Sequence, residues 1–167
     1  MITQIIEHIF SVNKKGCILS FPTGSGKTLS CITVVLILKY LQRILCESKL
    51  PQVKLLYRFS QLPTLIVTPN SLIPQWLSEI TSHTMIPREY VFIYTNPRDS
   101  ECYHFIQQNM SDISSGGIVI CSSQTLTRAT PESVLNVMEW SLIIYDECHL
   151  NLGKKTNGGC KMLHTLN

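Results

Sequence analysis

Residues 21–28 have the sequence Phe21-Pro22-Thr23-Gly24-Ser25-Gly26-Lys27-Thr28 and join a short apolar segment to a long segment with helical character. Glycine adopts positive φ angles at little cost, so Gly24 and Gly26 allow successive backbone N–H groups to turn toward one point. A helix that begins at Lys27 directs its partial positive end at the same point. This arrangement, between a strand and a helix, is typical of a phosphate-binding loop, or P-loop.

The residue types in this loop suit the phosphates of ATP and a Mg²⁺ ion. Lys27 supplies a full positive charge for the β- and γ-phosphates, and the Thr28 hydroxyl is suited to ligate Mg²⁺. The general pattern G-x-x-x-x-G-K-[ST] has a glycine where this chain has Phe21, and this departure weakens the match to the general pattern. The residues that we expect to bind the nucleotide here are Thr23, Gly24, Ser25, Gly26, Lys27 and Thr28.

Short apolar segments alternate with helical patterns along the rest of the chain. We expect strands at 17–21, 64–67, 90–94, 117–121 and 142–145. We expect helices at about 27–45, 71–80, 100–110 and 131–138, and a surface excursion at 47–61. This alternation predicts an α/β fold, in which a mostly parallel sheet has helices on both faces. Right-handed crossovers then bring the carboxyl ends of the strands to one rim, where ligands bind in such sheets.

An acidic pair, Asp146 and Glu147, directly follows the last apolar segment. A carboxylate at the end of a buried strand is suited to hold Mg²⁺, generally through water, and an adjacent glutamate can polarise the attacking water. The alternative is a strand that ends in a solvated acidic pair, but the P-loop upstream favours the catalytic interpretation. The predicted catalytic residues are therefore Lys27, Asp146 and Glu147, with Thr28 and Asp146 as the magnesium ligands.

Three further segments resemble superfamily 2 helicases, and together with the P-loop they match that family in order and spacing from about Gln4 onward. Asp146-Glu147-Cys148-His149 resembles the family's D-E-x-H box in its D-E-C-H form. Residues 64–76 look like motif Ia, and their S-L-x-x-Q-W portion is most similar to the Snf-type, chromatin-remodeller-like branch. Residues 118–126 are similar to motif Ib and its strand. The resemblance implies that 1–167 is the first, ATP-binding RecA-like lobe of a P-loop NTPase.

The resemblance also implies roles for matched side chains. His149 would couple the nucleotide state to a second lobe, unless it is merely packed, and Gln4 would contact adenine. Trp76 is expected to lie in the core rather than to stack on a base. The residues implied to contact nucleic-acid phosphates are Thr68, Pro69, Ser122, Ser123 and Thr125. The alternative for these hydroxyl side chains is the capping of loops.

The family acts through two RecA-like lobes, and the second lobe supplies an arginine finger and half of the nucleic-acid track. We expect that lobe to be absent from this chain, as in a domain fragment, a split gene or a natural truncated product. The resemblance implies movement on nucleic acid driven by ATP, with DNA favoured over RNA and duplex translocation favoured over strand separation. Two alternatives are a nucleotide- or nucleic-acid-binding module without turnover, and another P-loop enzyme such as a small-molecule kinase.

Composition limits the remaining possibilities. The net charge of +3 is too small to indicate nucleic-acid binding by itself. Seven cysteines without a C-x-x-C pair indicate reduced thiols, and the spacing around Cys148 and Cys160 fits no ordinary zinc site. The longest apolar run, 31–38, is too short to span a membrane. We therefore expect an intracellular protein, nuclear or cytoplasmic, and the weakly charged, Ile- and Cys-rich character resembles helicase-like proteins of large DNA viruses.

Overall fold

The computed structural model describes two compact units. The described residues are 2–9, 17–22, 24–47, 62–95, 108–109, 111, 113, 116–129 and 133–148. One unit lies within Met1–Tyr57 and the other within Arg58–Asn167. The first unit contains the P-loop, and the second contains the β-sheet.

The described part of the first unit consists of two packed helices and the P-loop. Helix α1 spans Ile2–Ile9, helix α2 spans Lys27–Glu47, and the two helices contact each other. Ile32, Val34 and Val35 are buried side chains of α2. Because β-branched residues have low intrinsic helix propensity, α2 depends on the packing of these side chains more than on local preference.

The described part of the second unit is built on a four-stranded parallel sheet in the order β2-β3-β1-β4. In chain order its elements are β1 (Thr64–Thr68), α3 (Ile73–His83), β2 (Val91–Tyr94), β3 (Ile118–Ser122), α4 (Ser123–Arg128), α5 (Val134–Val137) and β4 (Leu142–Tyr145). Two 3₁₀ turns precede α3 and β2, at Asn70–Leu72 and Arg88–Tyr90. Each strand is thus followed or preceded by helical structure, as in α/β folds.

The register of the sheet brings three strand ends to one rim. Thr68 at the end of β1 pairs with Ser122 at the end of β3. Val67 pairs with Tyr145 of β4, and the Asp146 N–H donates to the Val67 carbonyl at 2.8 Å. Thr68, Ser122 and Asp146 therefore lie at the same rim of the sheet, which is where ligands bind in parallel α/β sheets.

The core surrounds the two central strands. Every residue of β1 and β3 is buried, because a parallel strand covered on both faces has no solvent-facing side. The side chains of the edge strand β4 are only partly buried. The buried core cluster of this unit consists of Leu65, Val67, Phe92, Tyr94, Ile113, Val119, Cys121, Leu126, Val134 and Leu135.

The predicted α/β fold is confirmed, and so are four of the five predicted strands. The segments 64–67, 90–94, 117–121 and 142–145 form β1 to β4, each within a residue or so of the expected ends. The helix expected at 27–45 is α2. The expected segments 47–61 and 100–110 lie largely outside the described residues. No helix in the described part of the chain is long and apolar enough to cross a membrane.

The strand predicted at 17–21 is wrong for this structure. Residues 17–22 have no regular secondary structure, and Ile18 is 82% exposed. A strand forms only where a neighbouring backbone supplies hydrogen-bond partners, and an apolar run of five residues does not reveal whether such a neighbour exists. The sequence also did not predict α1 or the short helix α4.

Candidate functional site

The P-loop has the backbone conformation that its glycines predict. Gly24 has φ of +76° and Gly26 has φ of +80°, both in the left-handed region that favours glycine. A Cβ atom on either residue would meet no atom within 4 Å, so conformation rather than crowding accounts for glycine here. The Ser30 N–H donates to the Gly26 carbonyl at 2.9 Å, which closes the first turn of α2 directly after the loop.

The Lys27 side chain folds back over its own loop. Its ammonium group donates to the Phe21 carbonyl at 2.8 Å and to the Pro22 carbonyl at 2.9 Å. These acceptors are neutral, and charged phosphate oxygens form stronger hydrogen bonds with an ammonium group. The loop therefore holds Lys27 beside the helix N-terminus, at the end of α2 whose partial charge favours an anion.

Asp146 is held by two side chains from the segment β1–α3. Its Oδ2 accepts a hydrogen bond from the Trp76 indole Nε1–H at 2.8 Å and another from the Thr68 hydroxyl at 3.2 Å. Its backbone N–H continues the ladder between β4 and β1. The carboxylate is only partly buried, so it remains accessible at the rim while its geometry is fixed.

Glu147 has a backbone conformation that is unusual for its residue type. Its φ is +50°, in the left-handed region, within the turn at residues 146–148. This conformation costs a non-glycine residue about 1–2 kcal/mol. Strain of this kind is found at sites where the direction of a side chain matters.

The hydroxyl side chains at the rim are hydrogen-bonded within the protein. The Ser122 Oγ accepts from the Thr125 N–H at 3.0 Å and so caps α4. The Thr125 hydroxyl donates to the Thr95 carbonyl at 2.7 Å. Ser122 and Thr125 are buried, Thr68 is fully buried, and Pro69 and Ser123 are partly buried. The Ser122 hydroxyl therefore caps a helix and the Thr125 hydroxyl bonds the backbone after β2, as the capping alternative expects. Nucleic-acid contact at this rim stays a prediction.

The carboxylate of Asp146 suits a magnesium ion bound together with a nucleotide. Mg²⁺ in such sites keeps several waters and takes one or two carboxylates plus phosphate oxygens. Among the described residues, no group of three or more His, Cys, Asp and Glu side chains forms a metal cage. Mg²⁺ that is bound with a nucleotide needs one or two carboxylates and no cage of protein ligands. A single carboxylate at the rim therefore fits such an ion.

Burial shifts the pKa of two groups that are not among the candidate site residues. Desolvation lowers the pKa of Lys39 on α2 to about 8 and raises the pKa of the Cys121 thiol on β3 to about 12. Cys121 is therefore an uncharged core side chain at neutral pH. Of the two cysteines whose spacing fits no ordinary zinc site, Cys148 lies in the described residues and Cys160 lies outside them.

The structure brings together part of the predicted site. Thr68, Ser122 and Asp146 meet at the rim, while Lys27, Gly24 and Gly26 form the loop of the first unit. Gln4 is an exposed residue of α1, and its contact with adenine stays a prediction. Two predicted residues, Thr23 and His149, lie outside the described residues.

Sequence reasoning missed the second role of Trp76. Its burial is confirmed, with 2% of its surface exposed. A buried indole N–H needs an acceptor, however, and that requirement was the signal that the side chain has a polar partner as well as apolar ones. The sequence did not reveal that this partner is Asp146.

Comparison with known proteins identifies the family. The model of the SNF2-related domain matches residues 5–167. The DNA repair and recombination protein RAD54B of Mus musculus is 29% identical over 142 residues, which cover 83% of this chain and 13% of that protein. The protein of the same name in Gallus gallus is 28% identical over 134 residues, which cover 80% of this chain and 12% of that protein.

These matches confirm the resemblance to superfamily 2 helicases of the Snf type. The chain spans only 13% and 12% of the length of the two curated relatives. At the level of the family, the similarity supports an ATP-hydrolysing enzyme of helicase type. The chain belongs to the SNF2-related domain family.

Proposed function

We propose that this chain is the ATP-binding lobe of an ATP-dependent translocase or helicase that acts on DNA. The observation that carries the proposal is the P-loop, in which two glycines with positive φ precede Lys27 at the N-terminus of α2. Backbone N–H groups and a helix N-terminus bind phosphate without further side chains. Membership of the SNF2-related domain family supports ATP as the phosphate ligand.

Each candidate residue has a defined part in the hydrolysis of ATP. Lys27 exchanges the carbonyls of Phe21 and Pro22 for phosphate oxygens and offsets the charge on the transferred phosphoryl group. Thr28 and Asp146 are the residues that would hold a magnesium ion, which would neutralise charge on the phosphates. Glu147 orients and polarises the attacking water. These assignments rest on residue type and on the position of each residue at a loop or strand end.

The proposed nucleic-acid contacts lie at the turns that follow β1 and β3. Thr68 is the last residue of β1 and Pro69 follows it, while Ser122 ends β3 and caps α4, to which Ser123 and Thr125 belong. Because the hydroxyls of Ser122 and Thr125 are bonded within the protein, we propose that the contacts with phosphate come mainly from the Ser123 hydroxyl and from backbone N–H groups next to it, which suit phosphate without reading sequence. DNA is favoured over RNA because the two relatives are named for DNA repair and recombination. An intracellular, nuclear location fits the same proposal.

A second RecA-like lobe, in cis or in trans, completes the proposed motor. An arginine finger contributes about 10³–10⁵ in rate to related phosphoryl transfers. We therefore expect the isolated chain of 167 residues to bind ATP and to hydrolyse it slowly. His149 is the proposed link between the nucleotide and that second lobe, and Gln4 is the proposed contact with adenine.

The proposal is tested by measuring ATP hydrolysis with and without duplex DNA, single-stranded DNA and RNA. Low salt is required because contacts with phosphate weaken steeply as salt rises. Stimulation by duplex DNA that disappears in Lys27→Ala would support the proposal. Stimulation by RNA alone would overturn the assignment of the substrate. Nucleotide binding without turnover, even after the second lobe is supplied, would favour a binding module.

A further inference from the structure

The two tryptophans of the chain use their indole N–H groups differently. Trp140 donates to a backbone carbonyl, that of Leu135, at 3.1 Å. Trp76 donates to a carboxylate, Oδ2 of Asp146, at 2.8 Å. A carbonyl is thus a sufficient partner for the indole of Trp140, which is partly buried, whereas the buried indole of Trp76 is paired with an acidic side chain, and this pairing calls for a separate explanation.

The contacts of Asp146 restrict its side chain as well as its backbone. The backbone is fixed by the bond from the Asp146 N–H to the Val67 carbonyl. The terminal torsion of an aspartate is otherwise broad and loosely restricted. Here Trp76 and Thr68 both donate to the same oxygen, Oδ2. Two donors on one oxygen select one rotation of the carboxylate, so that its other oxygen, Oδ1, has a fixed direction.

The burial of the donor makes this restriction stiff. Trp76 is 2% exposed and lies on α3, whose other buried residues are Ile73 and Ile80. An indole enclosed in this way cannot swing aside without disturbing the packing of α3. Hydrogen bonds to a charged acceptor are also about twice as strong as those between neutral groups. The orientation of this partly buried carboxylate is therefore set by a donor that lies in the core of the protein.

We propose that Trp76 is a positioning residue for Asp146 and orients this carboxylate for a hydrated Mg²⁺ ion. This inference rests on the proposed function, because it assigns Trp76 to the metal-binding step of the same site. Thr68 assists through the longer bond. The Trp76 side chain itself contacts neither nucleotide nor metal, and its effect passes entirely through Oδ2 of Asp146.

The contact itself is tested by a double-mutant cycle that needs no nucleotide. The full chain is compared with Trp76→Phe, Asp146→Ala and the double variant by chemical denaturation followed by circular dichroism. Phenylalanine keeps an aromatic ring in the core and removes only the N–H donor and part of the ring. We expect the effects on the unfolding equilibrium constant to be non-additive by about 10-fold, as for a hydrogen bond to a charged group. Additive effects would overturn the inference.

The positioning role is tested by ATP affinity in Mg²⁺ and in EDTA, with Trp140→Phe as the matched control. We expect Mg²⁺ to increase the ATP affinity of the wild type and of Trp140→Phe. In Trp76→Phe the increase should be at least about 3-fold smaller, with affinity in EDTA unchanged, because the P-loop is intact. A merely structural role would lower the affinity equally in both conditions.

The possible results separate this inference from the proposed function. A full Mg²⁺ effect in Trp76→Phe overturns the positioning role and leaves the proposed function intact. A wild type that binds no ATP in either condition overturns the proposed function, and the positioning role of Trp76 with it. Coupling in the cycle together with a reduced Mg²⁺ effect in Trp76→Phe alone supports both.

Discussion

The P-loop and the carboxyl rim of the sheet offer two kinds of functional region in one chain. The loop relies on backbone conformation, since Gly24 and Gly26 supply positive φ angles and Lys27 is bonded to the nearby carbonyls of Phe21 and Pro22. The rim relies on tertiary contacts, since Asp146 is held by Trp76 and Thr68, which are distant in sequence. A local conformation needs only the right residue types in order, whereas a tertiary network needs the fold.

The two regions also differ in burial, and this difference has consequences for mutation. Residues 17–22 before the loop lack secondary structure, and Ile18 and Phe21 are exposed. The two central strands that lead to the rim, β1 and β3, are buried throughout. Substitutions at the loop are therefore expected to change ligand binding and leave stability intact, whereas substitutions near the rim are expected to change stability first.

The largest expected effect separates binding from hydrolysis. We expect Lys27→Ala to lower ATP hydrolysis about 100- to 1,000-fold, because it removes the charge that stabilises the transferred phosphoryl group. We expect Glu147→Gln to lower hydrolysis about 100-fold or more while ATP still binds, because only the polarisation of water is lost. Turnover and equilibrium binding measured on both variants check this. If Glu147→Gln lost the binding of ATP, the assignment of binding to the P-loop and of hydrolysis to the rim would be wrong.

The next expected effect concerns the strand that the sequence predicted and the structure lacks. Ile120 on β3 is fully buried, so Ile120→Ala should lower the free energy of unfolding by about 2–5 kcal/mol. Ile18 is 82% exposed, so Ile18→Ala should change it by less than about 0.5 kcal/mol. Chemical denaturation followed by circular dichroism measures both. A cost above about 2 kcal/mol at Ile18 would show that the segment is buried in solution.

A third comparison uses pH, because desolvation lowers the pKa of the partly buried Lys39 in the first unit and raises the pKa of the buried Cys121 in the second. The pKa of Lys39 is lowered from 10.5 to about 8, so the unfolded chain binds a proton that the folded chain releases between these values. Stability of the first unit should therefore rise from pH 8 to 10.5. The pKa of Cys121 is raised from 9.0 to about 12, so the unfolded thiol loses its proton first. Stability of the second unit should therefore fall between pH 9 and 12.

Each of these slopes should be at most about 1.4 kcal/mol per pH unit for a single group. Denaturation midpoints across pH 8–11 measure them, and tryptophan fluorescence reports the second unit because Trp76 and Trp140 both lie there. We expect Lys39→Met to abolish the rise and Cys121→Ala to abolish the fall. Unchanged slopes in these variants would assign the pH dependence to other groups.

The smallest expected effect tests the capping of α4 at the rim. The Ser122 hydroxyl accepts the Thr125 N–H, so Ser122→Ala should cost about 1 kcal/mol of stability. Ser123→Ala, one residue along, is expected to change stability by less than about 0.5 kcal/mol. Affinity for duplex DNA is measured on the same two proteins. A loss of affinity in Ser123→Ala without a loss of stability would assign that hydroxyl to nucleic acid.

The features that the sequence could predict are those determined locally. The P-loop glycines, α2 and the apolar strand before Asp146 all follow from residue type and periodicity, and the structure has them. The failed strand at 17–21 and the unpredicted bond from Trp76 to Asp146 have the same cause. Both depend on what lies opposite in space, which an apolar run or a single indole does not specify.

The central claim is that this chain binds ATP through its P-loop, and equilibrium binding of ATP in the presence of Mg²⁺ tests it most directly. The wild type is compared with Lys27→Ala and with Arg128→Ala, a control that removes an exposed positive charge elsewhere. We expect saturable binding that Lys27→Ala weakens at least about 10-fold, as for a lost charge-assisted hydrogen bond, and that Arg128→Ala leaves unchanged. No binding by the wild type, or equal affinity in Lys27→Ala, would contradict the claim.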